Sequence, residues 1–289
     1  MLVDKPAGVT SHDVVQQVRR RLGIRAAGHT GTLDPFATGL LVVLIGRATR
    51  LARFVEAQPK TYLGTARLGV RTTTDDLTGR VVGTTNSGLV PTEPRVREAL
   101  AEFLGAQLQQ PPQYSAKRVA GERSYQKARR GERVELADVS VTVHRIELVS
   151  YAPPELTFRA TVSAGTYIRA IARDLGDRLG IGAHLTSLRR EAIGSLLVDD
   201  AVPLDQVNAS VVLPARSVLR DMPGVDLDDV GRREVIHGRA VVDGREAGKR
   251  GGCPMGGWEA VALLGDGEVV AVARAEDGWL RPTVVLEAR

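Results

Sequence analysis

The chain has 289 residues, 43% hydrophobic and 25% charged, a globular composition that excludes wholesale disorder and allows one large domain or one large plus one small. Its net charge of +5 is uneven: residues 226–289 hold 9 basic and 12 acidic side chains, whereas the first 225 hold 30 against 22, a body charge of +8 that suits a polyanionic partner. The single cysteine, Cys253, excludes an intramolecular disulfide and a thiolate metal cluster, no apolar run approaches the ~20 residues of a membrane span, and the opening Met1-Leu2-Val3-Asp4-Lys5-Pro6 is no signal peptide, so a cytoplasmic location is expected.

In chain order, the first predicted element is an amphipathic helix over Ser11–Leu22, capped by Ser11. Val14, Val15, Val18 and Leu22 form its stripe, Arg19, Arg20 and Arg21 complement the dipole in the last turn, and Gly23 stops it. The loop from Gly28 to Gly39 then feeds a buried strand over Leu40–Ile45. A strand over Thr61–Leu68 precedes the polar stretch Arg71–Asp76, whose Asp75-Asp76 pair reads as solvated. A helix is predicted over Thr92–Gly105, with Val96, Ala99, Leu100, Phe103 and Leu104 as its apolar face. Strands near Ser140–Val149 and Leu156–Ser163 precede a helix from about Tyr167 to Leu179. Without a regular βαβ rhythm this is an α+β body around a mixed, mostly antiparallel sheet. Beyond Pro223-Gly224, short apolar runs at Arg239–Val242, Glu259–Leu264, Glu268–Ala273 and Thr283–Leu286 predict a small all-β module.

Dinucleotide, P-loop and zinc-hydrolase motifs are absent; Gly244-Arg245-Glu246-Ala247-Gly248-Lys249 is one residue short of a phosphate loop, and the five histidines lack ligand spacing. The densest unusual feature is the loop around Asp34, where glycines and threonines surround a carboxylate at the mouth of a strand. Pro35 restricts the backbone of Asp34. Either Asp34 acts as nucleophile or general base, or it caps a helix with Pro35 in the first turn. Tyr167 and Arg169 share a face if the chain is still extended there; if a helix has begun they diverge by about 200°, and Arg169 is a surface charge. The segment 114–133 interleaves Lys117, Arg118, Arg123, Lys127, Arg129, Arg130 and Arg133 with Tyr114 and Tyr125, which suits phosphate contacts and stacking on exposed bases, the alternative being a solvated helix face.

Gly28-His29-Thr30-Gly31-Thr32-Leu33-Asp34-Pro35-Phe36-Ala37-Thr38-Gly39 closely resembles the signature loop of the TruB family of tRNA pseudouridine synthases. Asp4-Lys5-Pro6-Ala7-Gly8-Val9-Thr10-Ser11, Lys60-Thr61-Tyr62, Tyr114-Ser115-Ala116, Gly165-Thr166-Tyr167-Ile168-Arg169 and Ala183-His184-Leu185-Thr186-Ser187-Leu188-Arg189-Arg190 follow in the family's order, so the likeness covers about residues 4–200. The tail ending Leu280-Arg281-Pro282-Thr283-Val284-Val285 is similar to the family's PUA-like domain.

This resemblance implies isomerisation of uridine 55 in the TΨC loop of tRNA by base flipping, with no metal or organic cofactor. It implies that Asp34 is the essential aspartate and that Tyr62 stacks on the target base. Tyr167 would lie against the ring and serve the C5 proton transfer, and Arg169 would pair with Asp34 and hold it charged. Leu188 would be an apolar wall, His29 would help fill the space left by the extruded base, and Lys117 and Arg118 would meet RNA phosphates. The implied organisation is a catalytic domain over 1–225, with an RNA-gripping insertion at about 107–137, and a PUA-like domain over 226–289. A monomer without an obligate protein partner is expected.

Two departures stand out. The chain begins only three residues before Asp4, so a translation start placed late is expected. After Tyr114-Ser115-Ala116 the family prefers an apolar residue and then lysine, where this chain has Lys117 and Arg118. Three rival readings fit parts of the sequence: an RNA-folding protein that keeps the pocket without the chemistry, an RNA-guided synthase of the same superfamily, and an aspartate-dependent glycoside hydrolase. The trio Asp34, Tyr62 and Arg169 argues against the first, the compact chain against the second, and the want of a second placed carboxylate against the third.

Overall fold

A computed structural model describes residues 1–85, 90–114, 118–119, 122–123, 130, 136–244 and 260–287. The chain opens with β1 (Leu2–Lys5), α1 (Ser11–Leu22), β2 (Ala27–His29), β3 (Thr38–Ile45) and, after a 3-10 segment over Gly46–Leu51, α2 (Ala52–Glu56). Next come β4 (Lys60–Leu68), β5 (Val70–Thr72), β6 (Val81–Thr84), α3 (Glu93–Ala101), β7 (Gly105–Gln109), β8 (Arg118–Val119) and β9 (Glu122–Arg123). Then follow β10 (Val139–Ala152), β11 (Glu155–Val162), α4 (Ile168–Arg178), β12 (Ala183–Ile193), β13 (Leu196–Leu197) and β14 (Val202–Pro203). The chain closes with β15 (Gly224–Asp226), α5 (Asp229–Ile236), β16 (Val241–Val242), β17 (Ala260–Gly265), β18 (Glu268–Glu276) and β19 (Trp279–Val285).

The chain forms two compact units. The first combines Met1–Asp34, Leu40–Gln58 and Ile193–Arg289; the second combines Pro35–Gly39 and Pro59–Ala192.

In the first unit, α1 starts one residue earlier than its expected cap implies. Thr10 is the N-cap: its hydroxyl accepts from the Asp13 N–H, and the Asp13 carboxylate accepts from the Thr10 N–H, a reciprocal box that satisfies two donors at the helix start. That frees Ser11 to turn inward. Val14, Val15 and Val18 are buried as the periodicity predicts, and Gly23 ends the helix at φ 65°. They pack with Val3, Leu41 and Val43 of β1 and β3. β14 joins β1 in parallel, and β2 joins β3 antiparallel with His29 opposite Val43.

The C-terminal sheet runs β15-β17-β18-β19-β16, parallel at β15–β17 and antiparallel elsewhere among its paired strands. The predicted apolar runs became its strands, but α5, capped by Asp228, was not anticipated. One sheet face shares a core with β3 and α2, through Ala262, Val269 and Val272 against the cluster of Leu40, Val42, Phe54 and Val55. Three arginines of the 3-10 segment and α2 reach β19 and its continuation: Arg47 donates to the Leu286 carbonyl at 3.2 Å, Arg50 to the Val285 carbonyl at 2.8 Å and Arg53 to Thr283 Oγ1 at 3.0 Å.

In the second unit the strand order is β12-β4-β11-β10-β7, with Thr38 and Gly39 at the head of β3 in parallel register with Arg189 and Arg190 of β12. β4, β11, β10 and β7 pair antiparallel in succession. Helices and mixed, mostly antiparallel strands within this unit are those of the expected α+β fold. Pro94 lies in the first turn of α3, and Val96, Ala99, Leu100 and Phe103 are buried. Leu104 departs from the expected stripe. The helix has already ended at Ala101, and Leu104 is 53% exposed.

Candidate active site

The loop that carries Asp34 is anchored in the first unit through the residues that precede it. Ser11, released from capping, accepts from the Leu33 N–H at 2.9 Å and donates to the Leu33 carbonyl at 3.3 Å. The Thr30 N–H donates to the Val42 carbonyl at 3.0 Å. The residue before the carboxylate is therefore strapped to the first turn of α1. Asp34 itself is half-buried, and Pro35-Phe36 form a turn that leads straight into β3. No helix follows, which overturns the capping alternative. His29 ends β2 and is half-buried.

Four more of the expected residues lie in the second unit. Tyr62 is buried on β4, on the same face as Lys60, Gly64 and Ala66, and pairs across the ladder with Ala160. The bare Cα of Gly64 makes room there, since a Cβ would lie 3.2 Å from Phe158, 3.3 Å from Leu185 and 3.5 Å from Ile168 at the start of α4. Leu188 is buried on β12, one residue before the Arg189 that pairs with Thr38. Pro35–Gly39 belong to this unit, and Thr38 joins β12 there next to Leu188.

Tyr167 and Arg169 resolve the question of face differently from either alternative. Tyr167 is the extended N-cap of α4, with φ −100° and ψ 111°, and Arg169 is already helical. Yet Arg169 is no surface charge: its side chain is 5% exposed. Its guanidinium donates to the Thr74 carbonyl at 2.9 Å and the Tyr114 carbonyl at 2.9 Å, and lies 3.3 Å from Asp76 Oδ2.

Asp75 and Asp76 are likewise not the solvated pair that their polar loop predicted. Asp76 is 4% exposed, and its Oδ1 accepts from Thr74 Oγ1 at 2.7 Å, the Thr78 N–H at 2.9 Å and Thr78 Oγ1 at 2.6 Å. Both oxygens are met, as a buried carboxylate requires. Asp75 sits at φ 59° and faces Arg173 at 3.0 Å. Burial pushes its carboxyl above the usual range, against the opposing pull of the Arg173 guanidinium.

Sequence reasoning missed Asp76, Gln109 and Arg173. For Asp76 a signal existed: Thr74 and Thr78 flank it at two residues on each side, hydroxyl spacing that folds around a carboxylate in a tight turn. Gln109 and Arg173 carry no such local mark. Of the expected phosphate contacts, Lys117 lies outside the described residues, as does most of the segment 107–137 from position 115 onward. Arg118 is described only as backbone, paired with Arg123 in the β8–β9 hairpin. No helix among the described residues is long and apolar enough to cross a membrane.

Residues 19–168 match the model of the TruB family pseudouridylate synthase N-terminal domain, and residues 169–223 match that of the tRNA pseudouridylate synthase B C-terminal domain. The first stretch contains His29, Asp34, Tyr62 and Tyr167, the second Arg169 and Leu188. The chain is 42% identical to the tRNA pseudouridine synthase B of Aquifex aeolicus (strain VF5) over 249 residues, 84% of this chain and 86% of the relative. It is 41% identical to that of Burkholderia pseudomallei (strain 668) over 289 residues, 98% of this chain and 94% of the relative. Among solved structures, a chain of a Cbf5-Nop10-Gar1 complex aligns with TM-score 0.75 and 27% identity, over 100% of this chain and 85% of that one.

Proposed function

The chain belongs to the TruB family of pseudouridylate synthases, and on that premise we propose that it isomerises uridine 55 in the TΨC loop of tRNA, acting alone and as a monomer. The observation that carries this reading is the 41% identity with a tRNA pseudouridine synthase B across 98% of the chain. The relation to a chain of the Cbf5-Nop10-Gar1 complex, at 27%, is more distant, which favours an enzyme that acts alone over one that works within such a complex.

The reaction breaks the N1–C1′ glycosidic bond, turns the uracil, joins C5 to C1′, returns a proton to N1 and releases the proton from C5. No electrons are gained or lost overall, so the chemistry calls for no redox group, and a flipped base held by side chains suffices. Asp34 is the essential aspartate, and Arg169 is the cation assigned to keep it charged. Tyr62 stacks on the target base, Tyr167 lies against the ring and serves the C5 proton, Leu188 walls the pocket, and His29 fills the space vacated in the RNA loop. Lys117 and Arg118 hold phosphates. The buried placement of Tyr62, Leu188 and Arg169, and the strapped backbone before Asp34, support these roles because each side chain is held before substrate arrives. Functionally we divide the chain into a catalytic domain over 1–225 and a PUA-like RNA-binding domain over 226–289, in a protein of the cytoplasm.

The test is tritium release from tRNA transcript labelled at uridine C5, for wild type and Asp34→Asn. Wild type should release tritium from position 55, and Asp34→Asn should release none while binding tRNA nearly as tightly. An active Asp34→Asn enzyme would sink the mechanism, and tight binding without release by wild type would favour an RNA-folding role.

A further inference from the structure

Gln109 is the last residue of β7, 4% exposed, with a side chain that makes two hydrogen bonds to one residue. Its Oε1 accepts from the Tyr167 N–H at 2.8 Å, and its Nε2 donates to the Tyr167 carbonyl at 3.1 Å. An amide side chain thus pairs with a single backbone unit as a neighbouring strand would, at a helix N-cap whose own side chain makes no capping bond. The next residues extend the fastening. The Gln110 carbonyl accepts from Arg173 Nη2 at 2.9 Å, and the Tyr114 carbonyl accepts from Arg169 Nη2 at 2.9 Å. Between them Pro111 and Pro112 are buried, and two successive prolines leave residues 110–112 little backbone freedom. A stiff segment over 109–114 is therefore pinned along the opening turns of α4, where Tyr167 and Arg169 stand.

We propose that Gln109 is a positioning residue for the isomerisation: it fixes the backbone of Tyr167, and so the direction of its ring, through this two-bond clamp. The proposal rests on the role given above to Tyr167 at the target uracil. Gln109 touches no substrate atom; it acts through Tyr167.

The experiment is a double-mutant cycle on the full-length enzyme with Gln109→Ala and Tyr167→Leu, reading the single-turnover rate at saturating tRNA and, separately, the Kd for tRNA. Gln109→Ala should slow the single-turnover step by about tenfold with Kd changed less than about threefold, since a misaimed reacting group costs rate rather than ground-state binding. On the Tyr167→Leu background the same substitution should cost less than about twofold more, because both changes remove one function. A fully additive cycle, or an unchanged rate in Gln109→Ala beside a slow Tyr167→Leu, overturns the clamp. A wild-type rate in Tyr167→Leu instead overturns the role of Tyr167, and the clamp falls with it. Gln109→Glu supplies a second reading if the alanine variant does not fold. Protonated, its carboxyl can both accept and donate as the amide does; ionised, it can only accept. Its rate should fall with rising pH relative to wild type, and a constant ratio across pH contradicts the proposal.

Discussion

A guanidinium at the second position of a helix is ordinarily a solvated charge, yet Arg169 is buried because two carbonyls and a carboxylate converge on it. Breaking a compensated buried charge costs far more than removing an exposed pair, so Arg169 and Asp76 are coupled in stability as well as in place. Asp75, next to them, illustrates the opposite balance. Burial outweighs Arg173 there, and its carboxyl titrates above the usual range. A group whose pKa is raised by folding contributes stability that is full below the unfolded-chain value of about 3.9 and is lost as pH climbs through the folded value. Asparagine at this position keeps an acceptor for Arg173 and has nothing to titrate. The stability of Asp75→Asn relative to wild type should therefore improve as pH rises above about 4, measured by urea unfolding at each pH. A gap that is flat or moves the other way would show that pairing with Arg173 dominates. The threonines around Asp76 marked it locally, but the contrast between the two carboxylates was not visible in the sequence: the arginines they face are more than 90 residues away.

Elements that carry site residues are set by close backbone approaches. At the head of β3, Gly39 has φ 102°, and a Cβ there would lie 2.3 Å from the Arg190 carbonyl oxygen and 2.7 Å from its nitrogen. Neither atom can yield, since both belong to the β12 backbone. Gly39→Ala should therefore destabilise the protein by about 3 kcal/mol or more, the sum of left-handed strain and a backbone clash, seen as a lower urea midpoint at unchanged slope. A loss under about 1 kcal/mol would mean that β3 can move away from β12. The helix α1 makes the complementary point. Its length, stripe and stop followed from periodicity and Gly23, but the cap went to Thr10 because the box with Asp13 satisfies two donors. Ser11, one residue later, is thereby spent on the Leu33 backbone. A one-residue shift in capping turned a helix signal into the support of the Asp34 loop.

Across the whole molecule, the excess of basic residues sits in the first 225 positions, while the C-terminal stretch is mildly acidic. If the body grips the RNA backbone, binding releases counterions, and tRNA affinity should fall at least about tenfold between 50 and 200 mM salt while the rate at saturating tRNA changes little. Salt-insensitive affinity would place recognition in shape and stacking instead. Several arginines are unavailable for such contacts, because Arg47, Arg50 and Arg53 hold β19 and its continuation in the first unit. Net charge alone could not separate those from the ones that face a polyanion.

Local features were legible from the residues alone: the helix and strand periods, the proline-restricted Asp34 loop, and the motif blocks that place the chain in its family. Those features depend on residues within a few positions of one another, and their physics is complete at that range. Tertiary structure alone decided which charges are buried, that Arg169 meets Asp76, and that Gln109 clasps Tyr167 from 58 residues away. Such pairings exist only once sheet register brings distant strands and helix ends together, because hydrogen bonds and desolvation act at contact and leave no mark on sequence spacing.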